Sequence, residues 1–134
     1  MKRIFATLLI ALSVISCNNK EKPIDITGEW QIADAVMTRS INIGNTEIDI
    51  YIQFMADNTF SIWQMIGYGR YQEFTGSWTL AENNILNGSY SDGTAWGNSY
   101  KVEIIDGNLI MTAQNGSTDI YTYVRCTIPS DIKN

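Results

Sequence analysis

Histidine is absent from all 134 residues of the chain, and cysteine occurs only twice, as Cys17 and Cys126. Without histidine the sequence lacks the usual general base, the Ser-His and Cys-His nucleophile pairs and the commonest transition-metal ligand. No residue spacing is typical of an EF-hand, a P-loop, a zinc site or a dinucleotide site. We therefore predict a protein that is not an enzyme and that uses no metal or other cofactor.

Basic residues are also few: the chain has nine Lys and Arg but 14 Asp and Glu, which gives a formal net charge of −5. An acidic chain without a basic run has no electrostatic basis for binding nucleic acid. Long apolar runs are missing too. The mostly apolar run Ile4 to Ile15 holds twelve residues, whereas a helix needs about 20 to cross a bilayer. We predict neither a nucleic-acid partner nor a membrane-spanning helix.

The N-terminus has the pattern of a secretory leader. Lys2 and Arg3 precede the apolar run, which ends in Val14-Ile15-Ser16-Cys17. This ending resembles the processing box of bacterial lipoproteins. The resemblance implies cleavage after Ser16, lipid on Cys17 and anchoring of the chain to a membrane through that lipid. The alternative is a plain secreted protein with an incidental cysteine.

The leader predicts three segments: a signal peptide over 1–16, the lipidated Cys17 with a polar tether over 17–23, and one folded domain over 24–134. Loss of the leader leaves 118 residues and lowers the formal charge to −7, because Lys2 and Arg3 are removed. Asn18 follows the cysteine, and by analogy with the sorting rule of enteric bacteria it implies the outer membrane of a Gram-negative bacterium. Cys126 then has no partner within the chain and is predicted to be a small buried apolar residue.

Short turn motifs with Asp-Gly, Asn-Gly and Asp-Asn pairs recur after residue 24, and the segments between them alternate between apolar and polar residues. This pattern favours an all-β fold, an eight-stranded antiparallel up-and-down barrel, over a two-layer sandwich, because the connections are uniformly short. A short helix over 40–45 is disfavoured by Gly44. The predicted strands cover 28–38, 47–54, 59–66, 70–80, 85–90, 96–105, 109–112 and 119–128.

Several motifs resemble those of the lipocalin-like family, in particular its small bacterial lipoproteins. The first strand opens with Gly28-Glu29-Trp30, and Arg125 lies near the end of the last. Phe54 to Phe60, Gly76 to Leu80 and Asp106 to Met111 resemble hairpins of that group. The resemblance implies that Trp30 closes the barrel floor, that Arg125 stacks on its indole and that Gly28 lets the strand bend there. These three residues would be structural rather than ligand-binding.

Aromatic and methionine side chains are frequent where a barrel wall or mouth is predicted, and such surfaces suit an apolar or amphipathic ligand. The alternative for each of these side chains is that it packs in the core and contacts no ligand. The third strand is apolar on both faces, so one face must meet a subunit, a ligand, a membrane or a covering loop. The candidate ligand-binding residues are Trp63, Met65, Tyr68, Tyr71, Trp96, Tyr100, Met111, Tyr121 and Tyr123.

Three hypotheses for function follow from these patterns. The first is non-catalytic binding of a small apolar molecule in the open end of a barrel. The second is a protein-protein interaction module with a filled barrel, such as an envelope inhibitor or a subunit of a surface complex. An unusual enzyme with Tyr or Asp as acid or base ranks third.

Overall fold

The computed structural model describes residues 24–36, 48–67, 69–116 and 118–133. The leader, Cys17, the tether, the 40–45 segment and Tyr68 lie outside these ranges. Each of the eight predicted strands is present: β1 is Gly28–Val36, β2 Ile48–Phe54, β3 Thr59–Ile66, β4 Gln72–Ala81, β5 Ile85–Tyr90, β6 Tyr100–Ile105, β7 Asn108–Ala113 and β8 Ile120–Arg125. One turn of 3-10 helix, Glu82–Asn84, joins β4 to β5.

Each strand pairs antiparallel with its neighbours in sequence, and β8 pairs with β1, so the sheet is a closed barrel. This confirms the up-and-down barrel and excludes the two-layer sandwich. Closure removes the two free edges that an open eight-stranded sheet would have. A bulge between Ile32 and Asp34 shifts the β1–β8 register within the closing pair.

Two predicted strand limits differ from the structure by three residues or more. β6 begins at Tyr100, not at Trp96, because Trp96 lies in a loop whose backbone N–H donates to the Gly88 carbonyl at 2.8 Å. β8 ends at Arg125, not at Ile128, since the chain leaves the sheet one bond later, where the Cys126 N–H donates to the Glu29 carbonyl.

Alternation along the strands sends one set of side chains into the barrel. Trp30 pairs with Ile52, and Phe54 pairs with Phe60, so these apolar residues share the inner face. The end of the barrel where β1 starts and β8 finishes is filled, and we call it the floor; the opposite end is the mouth. The largest fully buried side chains are Trp30, Phe54, Phe60, Ile26, Leu86, Leu109 and Val102.

The floor-end turns carry Asn or Asp where the backbone needs a positive φ. Asn58 has φ 66° and Asp106 has φ 52°. These residue types tolerate the left-handed region because their short polar side chains bond locally. In the same turn as Asn58, the Asp57 carboxylate accepts hydrogen bonds from the backbone N–H and the hydroxyl of Thr59.

The floor is closed by the stacking that the family resemblance implied. The Arg125 guanidinium carbon lies 3.8 Å from the centroid of the fully buried Trp30 ring. Arg125 Nη1 donates to the Thr27 carbonyl at 2.6 Å, and Trp30 Nε1 donates to the Ile26 carbonyl at 2.9 Å. The two Arg125 contacts tie the start of β1 to the end of β8, and the Trp30 bond fixes its indole against the residues before β1.

Gly28 leaves the room that Arg125 occupies. Its φ is +122°, and a Cβ there would lie 2.2 Å from Arg125 Nη1. A side chain would therefore be strained by the backbone and would also push the guanidinium off the indole. The glycine that was expected to bend the strand also makes space for the stacking.

Gly28→Ala is expected to destabilise the barrel more than Gly93→Ala. Both glycines have positive φ, but a Cβ at Gly93 would have no atom within 4 Å, so Gly93→Ala reports backbone strain alone, about 1 kcal/mol. Gly28→Ala adds the loss of an exposed cation–π contact, about 0.5 to 1 kcal/mol. Urea unfolding measures both. Equal losses, or an undiminished Gly28→Ala effect in an Arg125→Ala background, would contradict this account.

Candidate functional site

A continuous series of aromatic rings lines one side of the barrel interior, and we call it the aromatic arc. It runs from β4 through β5 and β3 to the loop before β6, and then to β6 and β8. Successive ring centroids are 5.1 to 6.2 Å apart, and most pairs meet edge to face. In order, the arc consists of Phe74, Tyr90, Phe60, Trp96, Tyr100 and Tyr121.

Strand register brings these rings together. Phe74 pairs with the inner-facing Ile62, and Tyr90 pairs with Gly76, which in turn pairs with Phe60. A Cβ at Gly76 would lie 2.9 Å from the Phe60 ring. Glycine is therefore required at position 76 for the Phe60 ring to approach the β4 backbone this closely.

Trp96 lies beside the junction of β5 and β6, the neighbouring strands with the fewest paired residues. β5 and β6 pair at only two positions, Ile85 with Lys101 and Leu86 with Tyr100. Beyond them the Trp96 indole lies against the β5 backbone, and a Cβ at Gly88 would come within 2.2 Å of its ring. Its Nε1 is buried and finds no acceptor among the described residues, an arrangement that costs about 1 to 3 kcal/mol.

Burial differs along the arc. Met111, which pairs with Tyr121, and Tyr123 are 4% and 5% exposed and belong to the packed core. In the arc itself Phe60 is also buried, whereas Tyr90, Trp96, Tyr100 and Tyr121 are only partly buried and Phe74 is 39% exposed. The arc therefore connects the packed core with partly exposed rings.

Burial keeps the phenols of Tyr100 and Tyr121 neutral at physiological pH. Burial, followed by the influence of Tyr121, Tyr90 and Asp119, raises the pKa of Tyr100 to about 12. Burial and the Asp119 carboxylate also raise the pKa of Tyr121. Neutral phenol and indole groups offer apolar faces with hydrogen-bonding tips, which suits amphipathic ligands.

The candidate residues divide into three groups. Trp96, Tyr100 and Tyr121 come together in the arc, whereas Met111 and Tyr123 belong to the packed core beside it. Trp63, Met65 and Tyr71 do not line the interior: Trp63 pairs with Tyr51, and Met65 pairs with Asp49, on the outer face of the sheet. Tyr68 is not among the described residues.

Three members of the arc were missed, Phe60, Phe74 and Tyr90. Period-two alternation in β4 places Phe74 on the same face as Gly76 and Trp78. That signal was available in the sequence. Tyr90 ends β5 next to a turn, and nothing local distinguishes it from a solvent-facing tyrosine.

The outer face of β3 is covered by the chain's own C-terminal segment, residues 126–133. Ile128 is buried together with Tyr51 and Trp63, and Cys126 and Ile132 pack against the same cluster. Lys133 forms an ion pair with Glu29. Of the four covers considered for this face, the structure shows the covering loop, so the aromatic surface around Trp63 is not free for another protein.

The outer cluster also fixes polar groups near the mouth. The Tyr71 hydroxyl donates to the Asp49 carboxylate at 2.5 Å, and Gln31 Nε2 donates to the same carboxylate at 3.2 Å. Burial and this bond raise the pKa of Tyr71. Burial likewise raises the pKa of the Cys126 thiol, so the thiol stays protonated and is a poor nucleophile.

Two depressions lie on the β4–β5 side of the barrel. The larger, about 740 Å³, is on the outer wall and is lined mainly by hydroxyl side chains, including Ser61, Ser77 and Ser89. The smaller, about 420 Å³, reaches the first rings of the arc, Phe74 and Tyr90, beside Asp92.

Within the described ranges no cluster of three or more Cys, Asp or Glu side chains is arranged to hold a metal ion. No helix in that part of the chain is long and apolar enough to cross a membrane.

No family model, curated protein or solved structure matches the chain. The similarity to the lipocalin-like family therefore stays a prediction from the motifs around Trp30 and Arg125.

Ile128→Ala should uncover Trp63. Removing a buried aliphatic side chain costs about 2 to 5 kcal/mol, and the loosened segment should expose the outer indole to quenchers. Urea unfolding and acrylamide quenching of tryptophan fluorescence measure the two effects. Ile105→Ala is the control, because Ile105 is 51% exposed and its loss should change stability by less than about 0.5 kcal/mol. Equal stability of the two variants would show that the segment does not hold the outer cluster.

Proposed function

We propose that the protein is a lipid-anchored lipoprotein of the cell envelope. Its lipocalin-like barrel binds a small apolar or amphipathic molecule in the mouth without transforming it chemically. The observation that carries this proposal is the aromatic arc. Five of its six rings are partly exposed, the sixth, Phe60, belongs to the packed core, and neighbouring rings are in contact along the whole series.

The energetics of the arc favour a ligand. Covering apolar surface contributes about 25 cal/mol for each Å² removed from water, and partly exposed aromatic rings offer such surface inside the mouth. An oxygen atom on the ligand would also satisfy the buried Trp96 N–H, which has no acceptor among the described residues. A ligand with an apolar body and one acceptor oxygen fits both features.

Support for the lipocalin-like family comes from the floor. The Arg125 guanidinium stacks on the Trp30 ring and occupies the space left by the missing side chain of Gly28. This contact joins the first and last strands. This geometry agrees with the role that the family resemblance assigns to each of the three residues. The lipid anchor rests on the residues before Cys17 alone.

Trp96→Leu and Tyr100→Leu should each weaken binding of the neutral fluorescent probe N-phenyl-1-naphthylamine. Each removes a ring of the arc, and we expect the dissociation constant to rise about tenfold, equivalent to about 1.4 kcal/mol. Probe fluorescence titration gives the constants. Tyr71→Leu is the matched control, since Tyr71 lies on the outer wall and its loss should leave the constant unchanged. Failure of the unaltered protein to bind any apolar probe would contradict the proposal.

Cys17→Ser should release the protein from the membrane fraction. The proposed lipid is attached only to that sulfur, so the variant should also lose the lipid mass seen by mass spectrometry of the purified chain. Cys126→Ser should remain in the membrane fraction, because Cys126 packs against the outer cluster of the barrel. A Cys17→Ser protein that still carries lipid and stays with the membrane would show that the anchor lies elsewhere.

A further inference from the structure

The larger depression, on the outer wall, crosses β3, β4 and β5, and we call it the hydroxyl groove. A turn lies on each side of it. The Asn58 carbonyl accepts a hydrogen bond from the Trp78 N–H at 2.9 Å, and the Thr75 carbonyl accepts one from the Ser91 N–H at 2.9 Å. These bonds hold both turns against β4, and the depression lies between them. The hydroxyl side chains that line it are Thr59, Ser61, Thr75, Ser77, Ser89 and Ser91.

Strand register arranges these hydroxyls in two rows across the sheet. Thr59 pairs with Ser77, which pairs with Ser89. Ser61 pairs with Thr75 in the next row. Paired strands are about 4.8 Å apart, so neighbouring hydroxyls within a row are separated by about that distance. Because each belongs to a paired strand, their relative positions are set before anything binds.

The hydroxyls at the edges of the groove are bonded, whereas three others have no partner among the described residues. The Thr75 and Ser91 hydroxyls bond to each other at 2.7 Å, and the Thr59 hydroxyl donates to Asp57. The three without a partner lie on three neighbouring strands, and they are Ser61, Ser77 and Ser89.

Ser61 is the feature that points to a ligand. It is only 8% exposed although it lies on the outer face, and its side chain lines the groove. A hydroxyl that loses most of its water without gaining a protein partner is unfavourable, and a bound group that hydrogen-bonds to it removes that cost. The groove therefore favours a ligand that donates or accepts a hydrogen bond at this point.

The lining disfavours charged ligands. None of the described side chains that line the groove is charged, so an ion would lose hydration there without gaining an opposite charge. The two flanking turns carry Asp57 and Asp92, whose carboxylates bond to neighbouring threonines. These carboxylates add repulsion against an anion.

The lining also disfavours apolar ligands. Phe60 and Tyr90 contribute to the groove, but their rings face the interior as members of the aromatic arc. Met55 is then the apolar side chain of the lining that faces outward. Hydroxyls both donate and accept hydrogen bonds, so the complementary ligand is uncharged and rich in hydroxyl groups. The volume of about 740 Å³ is typical of small-molecule sites, about 300 to 1,000 Å³.

We infer that the hydroxyl groove binds an uncharged carbohydrate, with hydrogen bonds to Ser61, Ser77 and Ser89. This site is separate from the aromatic arc, because the sheet lies between the outer-facing hydroxyls and the inner-facing rings. The inference is therefore independent of the apolar ligand proposed for the mouth, and it gives the barrel a second ligand of different chemistry.

Amide chemical shifts of the full chain carrying Cys17→Ser test the inference, with maltotetraose, chitotetraose and the acidic tetragalacturonate as probes. We expect at least one of the two uncharged sugars to cause its largest shifts around Ser61, Ser77 and Ser89. That sugar should bind at least about fivefold more tightly than tetragalacturonate. No shift with either uncharged sugar, or tighter binding of the acidic sugar, would overturn the inference.

Ser77→Ala should raise the dissociation constant of the bound sugar about three- to tenfold, because it removes one hydrogen-bonding group from the centre of the groove. Thr79→Val is the matched control, since Thr79 is exposed on the same face of β4 and lies outside the groove; this variant should bind unchanged. Both positions are exposed, and the amide spectrum checks that each variant is folded.

Equal effects of the two variants on sugar binding would overturn the inference. Binding of N-phenyl-1-naphthylamine separates this result from the proposed function, because neither variant should change it. A chain that binds the sugar but no apolar probe would contradict the proposed function and leave the carbohydrate site intact.

Discussion

The contact between the Arg125 guanidinium and the Trp30 indole joins the two ends of the sheet, and the rest of the barrel depends on it. The Arg125 bond to Thr27 connects residues 98 positions apart. Closure of the ring is therefore a non-local event, and its entropic cost is offset only when the last strand arrives. Because Trp30 is fully buried among Ile26, Ile52 and Phe54, the described interior is packed at this end.

The fold was predictable because three independent signals in the sequence agree. Turn residues with positive φ, such as Asn58 and Asp106, separate the strands. Period-two alternation marks one apolar face in β2 and β8. Connections too short for a Greek key leave a meander, and a meander of eight strands can close. These signals are local, so they can be recognised in the sequence without any knowledge of tertiary contacts.

The site was predictable only in part, because alternation gives the relative orientation of side chains but not which face is inside. In β3 both faces are apolar, so Trp63 and Met65 were as plausible inside as outside; the pairing of Tyr51 with Trp63 decides the matter. Trp96 was correctly expected near the wall but wrongly placed in a strand. Its position depends on the absence of a Cβ at Gly88, which no pattern in the surrounding residues shows.

The segment 126–133, which packs over Trp63, follows all eight strands in chain order. If the strands pair before Ile128 and Ile132 have docked, the aromatic surface around Tyr51 and Trp63 lacks the cover that this segment provides. A chain with a formed barrel and an undocked segment thus presents an apolar outer patch, which favours association with other chains or with a chaperone during that interval. Docking of this segment is therefore a safeguard against aggregation as well as a packing contribution.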